Sequence, residues 1–193
     1  NTGGRGLRDN TPVEVTGLPG GLTYSNGEIT GTPTVPKGDY SVTITAYDKD
    51  GNPTTETITI KVQEQADKYN PTGEGLTVNQ GHEITDDEVK AKVKDFGPGT
   101  LTVTSKPSTT TAGNAGNAVV TVGYPDGSSD TVNVPVTVKD VTGPTVTVGG
   151  ATVTKNEPIT PIPVTVSDNT GGRGLRDNTP VEVTGLPGGL TYS

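Results

Sequence analysis

The sequence has no cysteine, no methionine and no tryptophan, and only one phenylalanine and one histidine. Each absence excludes something. Without cysteine there is no disulfide framework and no thiol chemistry. A lone histidine rules out a multi-histidine metal site within one chain. No apolar run approaches the roughly 20 residues of a membrane-spanning helix, so membrane insertion is not expected. No basic stretch leading into an apolar core reads as a secretory leader. The formal charge of −8 repels a phosphate backbone and argues against nucleic-acid binding. Hydrophobic residues are scarce too, at 27%, against 28 glycines and 16 prolines. That balance leans towards disorder. The pattern decides otherwise. Val and Ile alternate with Thr, which is how half-buried strands are written.

What is present is a repeat. Asn1 to Ser25 and Asn169 to Ser193 are identical, residue for residue, at an offset of 168. Loop residues match as well as strand residues, so convergence on a shared fold does not account for it. The segment reads as one full unit of a tandem array plus an overlap. Either the copies are kept alike at the level of DNA, or the duplication is deliberate. The period far exceeds the 20–50 residues of solenoid repeats, so each unit is expected to hold whole domains.

The pattern divides the chain into 1–65, 66–139 and 140–193. In the first part, LTYS (22–25) and EITGTPT (28–34) flank Asn26-Gly27, a strong hairpin signal. Tyr40, Val42, Ile44 and Ala46 alternate with polar residues, and Ile58, Ile60 and Val62 do so after a turn at 48–52. Residues 144–168 carry two or three more strands. Joined in register with 169–193 and 26–65, they would complete a sandwich of about seven strands. The middle part differs. Thr85 and Glu88 form a capping box. Val89, Val93 and Phe96 make an apolar stripe that predicts a helix over 84–96, ended by Gly97-Pro98-Gly99. AVVTVGY (118–124) and TVNVPVTV (131–138) predict a hairpin across Pro125-Asp126-Gly127. Val132, Val134, Val136 and Val138 share a face, and Pro135 suggests an edge or bulge. The fold class expected is mostly β: Ig-like sandwich pieces flanking a β-domain with one short helix.

Enzyme chemistry is nearly absent. A Ser/His/Asp arrangement must use His82, which reads as a solvated turn residue. Asp86 and Asp87 are explained by the positive end of the predicted helix. Asp48, Asp50 and Asn52 are candidate calcium ligands, and calcium is the one cofactor considered. An EF-hand-type loop would need Glu where Thr59 stands, and a hairpin turn needs only the Asp and Gly present. Asp140, Asp168 and Asn169 offer further hard oxygens near domain junctions. The lysines fall at polar positions and aromatics are few, which disfavours buried isopeptide crosslinks. The basic, glycine-rich loop 3–10, repeated at 171–178, is a mobile connector or a ligand-contacting loop.

Several runs carry a family likeness. DKYNPTGEG (67–75), GTLTVTSKPSTTTAGN (99–114) and GYPDGSSDTVNVPVTV (123–138) resemble the Rib domain of Gram-positive bacterial surface proteins. Gly17-Leu18-Pro19, Gly21-Leu22, the Gly27–Pro33 run and GDYSVTITAYDKDGN (38–52) resemble the Ig-like, cadherin-like domains of bacterial adhesins. The likeness implies a tandem repeat region of a cell-wall-anchored adhesin on a Gram-positive cell surface. It implies a structural stalk that projects a binding region, with length set by repeat number and neighbouring repeats as partners. The alternative is a module that itself binds a host or matrix ligand. Few Tyr and Arg are available for binding hot spots. Because the repeat cuts an Ig-like domain, 140–193 of one molecule is expected to complement 1–65 of another, head to tail, by strand addition. The two copies of the 25-residue segment would then compete for one place.

Overall fold

The computed structural model describes residues 4–193 and is mostly β. Two compact units form, Asn1–Asn70 with Tyr124–Ser129, and Pro71–Gly123 with Asp130–Ser193.

The first unit begins with β1 (Val13–Thr16), β2 (Leu22–Ser25) and β3 (Glu28–Gly31). It continues with β4 (Gly38–Tyr47) and β5 (Pro53–Val62). β2 and β3 pair across Asn26 and Gly27, whose φ values of 52° and 83° are those of a two-residue hairpin turn matched to strand twist. β1, β4 and β5 form a three-stranded antiparallel sheet with β4 in the middle. Val13 to Thr16 stand opposite Ala46 to Thr43, and β4 pairs with β5 along its whole length, from Gly38↔Val62 to Tyr47↔Pro53. Alternation sends Val42 inward, where it is fully buried, as is Pro19. Cover is thin elsewhere. β5 is exposed over most of its length, and Ile58 keeps 41% of its surface. A short helix that the sequence did not announce, α1 (Gln65–Lys68), follows directly.

In the second unit, β6 (Thr72–Gly73), β7 (Leu76–Asn79), α2 (Asp86–Lys90) and β8 (Val93–Lys94) precede the long strands. These are β9 (Thr100–Ser105), β10 (Gly113–Gly123) and β11 (Ser129–Lys139). The sheet runs β7-β11-β10-β9, with β7 parallel to β11. Val132, Val134, Val136 and Val138 all face inward and are buried, as their period of two requires. With Val120, Val122, Leu76, Val78 and Val89 they make a core of small β-branched and aliphatic side chains.

Two expectations are corrected here. α2 starts where the capping box places it, with Glu88 N–H donating to Thr85 Oγ1 at 3.3 Å and Thr85 N–H to Glu88 Oε2 at 2.8 Å. It does not reach Phe96. It ends at Ala91, and Val93 enters a two-residue ladder opposite Gly73. The apolar stripe is real, but Val93 is buried from a strand. Pro135 lies on an inner strand and not at an edge. Its missing N–H falls one residue before the pairing with β7 begins at Val136.

β12 (Thr145–Val148) and β13 (Val164–Ser167) pair only with each other. Every residue of β12 is exposed, including Val146 at 58%. The second copy of the repeat, 169–193, contains no strand.

Candidate functional site

The residues with chemical potential are held by ordinary structural partners. His82 lies 2.9 Å from Glu88 Oε1 in an exposed pair beside the cap of α2. Among the described residues, no group of three His, Cys, Asp or Glu side chains is disposed to hold a metal. Asp48 Oδ1 accepts the N–H groups of Asp50 (2.9 Å) and Asn52 (2.8 Å), and Oδ2 accepts Asn52 Nδ2 (2.9 Å). The Asn52 amide and these backbone donors hold the Asp48 carboxyl below its ordinary range. Asp50 pairs with Arg5 at 3.3 Å. The three candidate calcium ligands are thus adjacent, and their donors and acceptors close a turn. The lysine–carboxylate pairs Lys37–Glu64, Lys49–Asp9 and Lys106–Asp86 are all exposed.

The basic loop folds back on its own unit. The guanidinium of Arg8 sits 4.1 Å from the centre of the Tyr47 ring and 3.1 Å from Glu14. In the other copy, Arg176 reaches Glu182 at 3.0 Å, so this contact is written locally.

Two connectors are more informative. At the first, after β5, Lys37 contacts Glu64 (2.9 Å) and Asp67 (3.7 Å). Glu64 first, then Asp67, raises the Lys37 pKa. The N–H of Gln65 donates to Asp126 Oδ2 at 2.6 Å, and that of Ala66 to Ser128 Oγ at 3.0 Å. Ser128 and the Gln65 N–H hold the Asp126 carboxyl low. Tyr69 stacks on Tyr124, with centroids 5.6 Å apart and planes 18° off parallel. The Tyr-Pro-Asp-Gly-Ser turn is therefore a clamp for α1 as well as a hairpin tip.

The second connector lies within the second unit. Gln80 Nε2 donates to the carbonyls of Thr110 (2.8 Å) and Thr170 (3.0 Å), and Asn169 Nδ2 donates to Gln80 Oε1 (2.9 Å). Ala112 N–H donates to Gly171 O at 2.7 Å. Asp140 accepts from the N–H groups of Arg173 (3.0 Å) and Thr142 (3.1 Å), which lower its pKa. Asp168 Oδ2 accepts the Gly174 N–H. Asp140 thus meets the neighbouring pair Asp168 and Asn169, distant from it in sequence. Their oxygens surround the place a Cβ of residue 172 would take, at 2.5–2.7 Å, so a larger residue there would have to push these side chains aside. The role of Gln80 was not visible in the sequence, because its partners are mostly backbone carbonyls.

The connectors explain the two faces of the repeated segment. In copy 1, residues 13–16 and 22–25 are paired with β4 and β3, while Leu7 is 62% exposed. In copy 2, residues 169–174 are seated against Gln80, Thr110 and Asp140, its Leu175 is half-buried, and Val183, Leu186 and Tyr192 are exposed. One sequence makes its upstream contacts in one copy and its downstream contacts in the other.

Thin Val/Thr β-modules, short clamped connectors and a long exact repeat define a class: repeat modules of a modular protein. The particular family follows from comparison. Residues 65–140 match the Rib domain family, and residues 2–63 match the family described as "Putative Ig domain". Both matches fall on the segments whose motifs carry the resemblance, the Rib match following the Ig-type match along the chain. It is 36% identical over 136 residues to the C protein alpha-antigen of Streptococcus agalactiae serotype Ia, a match covering 63% of this chain and 13% of that protein. A solved Rib structure from Streptococcus pyogenes shares 33% identity, covering 39% of this chain and 98% of that one, with a TM-score of 0.33.

Proposed function

We propose that the chain is a spacer segment of a Gram-positive cell-surface adhesin, anchored to the cell wall, whose repeats hold a binding region away from the cell. The observation that carries this reading is the 25-residue repeat, whose two copies satisfy opposite halves of their contacts. A segment that packs on downstream strands in one copy and on upstream elements in the other suits a position between two modules of a serial array. The clamped connectors support it, because a spacer must resist folding back on itself. Each connector is fixed by side-chain to backbone bonds from more than one residue. The likeness to a streptococcal antigen supports the same setting.

Strands of about 8–10 residues at ~3.3 Å each make modules on the order of 30–40 Å long with their loops, so each two-module repeat adds roughly 60–80 Å. Small-angle scattering on proteins with one, two and three repeats tests this. The maximum dimension is expected to rise by a constant increment per repeat. A dimension that saturates rejects the spacer reading.

A further inference from the structure

We infer that Asn26 is a spontaneous modification site: the native β2–β3 turn lets this asparagine deamidate through a cyclic imide formed with Gly27. The chain has one Asn-Gly step, Asn26-Gly27, and two Asp-Gly steps, Asp50-Gly51 and Asp126-Gly127. Ring closure makes two demands. The side-chain carbonyl carbon must be accessible, and the backbone nitrogen of the next residue must be free to attack it. Both groups belong to adjacent residues, so the attack is intramolecular and favoured by proximity. Asn26 and Gly27 are exposed, and nothing lies within 4 Å of the Gly27 Cβ position.

Hydrogen bonding separates this step from its rivals. In a two-residue hairpin loop the flanking pair, here Ser25 and Glu28, closes the ladder and leaves the loop amides outside it. Among the described residues, neither the Gly27 N–H nor the Asn26 side-chain amide has a hydrogen-bond partner. At the Asp-Gly steps the attacking nitrogen is engaged. Gly51 N–H donates to Asp48 O at 3.1 Å, and Gly127 N–H to Tyr124 O at 3.0 Å. Their carboxylates are held too, Asp50 by Arg5, and Asp126 by the Gln65 N–H and Ser128 Oγ. Asn156 shares the exposure and the left-handed backbone of Asn26, with φ of 64° against 52°. It is followed by Glu157, whose N–H donates to Thr154 O at 3.2 Å. Of these four steps, only Asn26-Gly27 joins an exposed carboxamide to an unengaged nitrogen.

In the reaction the Gly27 nitrogen bonds to Asn26 Cγ and the Cγ–Nδ2 bond breaks. The displaced nitrogen takes up the backbone proton and leaves as ammonia. Water then opens the ring. Attack at Cγ yields aspartate, and attack at the main-chain carbonyl yields isoaspartate, with the chain routed through the side-chain carbon. Either product sets a new carboxylate beside Glu28, in a chain whose formal charge is already −8. The isoaspartyl product also lengthens the loop by one backbone atom, and loop length fixes hairpin register. β2 and β3 form a sheet of two strands, so the loop is what aligns Tyr24 with Ile29. The inference rests on this turn and stands apart from the spacer reading.

The folded full-length chain is incubated in mildly alkaline buffer and followed by tryptic mass spectrometry. The peptide from Asp9 to Lys37 should gain about 1 Da, with fragmentation placing the change at Asn26 and both aspartyl isomers present. Over the same interval the peptide carrying Asn156 should keep its mass, and those carrying Asp50 and Asp126 should form no isoaspartate. Asn26→Gln, which would have to close a larger ring, should hold the mass of the first peptide constant. The enriched isoaspartyl chain should show a lower melting temperature for the Ig-type unit. No mass gain at Asn26 overturns the inference. So does a gain that appears only in denaturant, or a gain at Asn156 that is equally fast.

Discussion

The Cβ position of Gly17 is blocked by the carbonyl oxygen of Ser41 on β4, whereas Gly185, the same residue of the repeat, has nothing within 4 Å of its Cβ position. Both glycines are left-handed, with φ of 83° and 77°. Local sequence sets the turn, and the neighbouring strand sets the packing. Gly17→Ala should therefore cost about 2–4 kcal/mol, from a positive φ plus a backbone collision. Gly185→Ala carries the torsional strain alone, in a segment without strands. A melting curve of the Ig-type unit should fall by roughly 10 °C or more for the first and stay in place for the second.

The same pair shows how much was legible in advance. The Asn26-Gly27 hairpin, the alternating strands and the Thr85–Glu88 cap are short-range signals, and they stand where the sequence puts them. Copy 2 keeps its turns, with Leu190 N–H donating to Pro187 O as Leu22 donates to Pro19, yet loses every strand. Strand formation in this segment is decided by β4 and β3, so no reading of the 25 residues alone could separate the copies. The end of α2 failed for a related reason. Val93 fits a helical stripe at i+4 from Val89, but the cross-strand partner Gly73, far upstream, takes it. Asp140, Asp168 and Asn169 stand out in the sequence as hard-oxygen groups, while Gln80 and the carbonyls of Thr110 and Thr170 leave no signature.

Tyr69 stacked on Tyr124 gives the first connector its aromatic contact. Replacing Tyr69 by Leu keeps apolar bulk and removes the ring pair, which is worth about 0.5–1.5 kcal/mol. Asp126→Ala additionally frees the N–H groups of Gln65 and Ser128. Amide hydrogen exchange of Gln65 and Ala66 should accelerate in both variants, more strongly in Asp126→Ala. Exchange in β11 should be unaffected, because its Val132–Val138 face is buried independently of the clamp. Equal acceleration throughout would mean that the clamp and the sheet open together.

Acid should act on the connectors and caps before the cores. Asp48, Asp86, Glu88, Asp126 and Asp140 all have depressed pKa values, led respectively by contacts from Asn52, Lys106, Thr85, Ser128 and Arg173. A carboxylate with a lowered folded pKa contributes stability that is fully present above its unfolded value, near about 4, and is lost as pH falls through the folded value. Melting temperature should be flat from pH 7 to about 5 and decline below about 4. Lys37 has the opposite sign. Its raised pKa adds stability below the ordinary lysine value, about 10.4, and that contribution fades only as pH rises above it. Asp140→Asn should flatten part of the acid limb, and a limb unchanged in that variant would remove the second connector from the account.

Calcium provides the sharpest test of the Asp48 turn. An ion bound by Asp48, Asp50 and Asn52 would need carboxylate oxygens that now accept three hydrogen bonds within the loop, and it would displace Arg5 from Asp50. The turn is complete without it. Melting in excess chelator and in millimolar calcium should therefore give the same midpoint, and Asp48→Asn should destabilise the β4–β5 hairpin equally in both. A calcium-dependent rise that Asp48→Asn abolishes would reverse this conclusion and make the loop an ion site. A rise abolished by Asp168→Asn would instead place the ion at the second connector, where Asp140, Asp168 and Asn169 converge around Gly172. The two variants separate these outcomes because their carboxylates lie in different compact units.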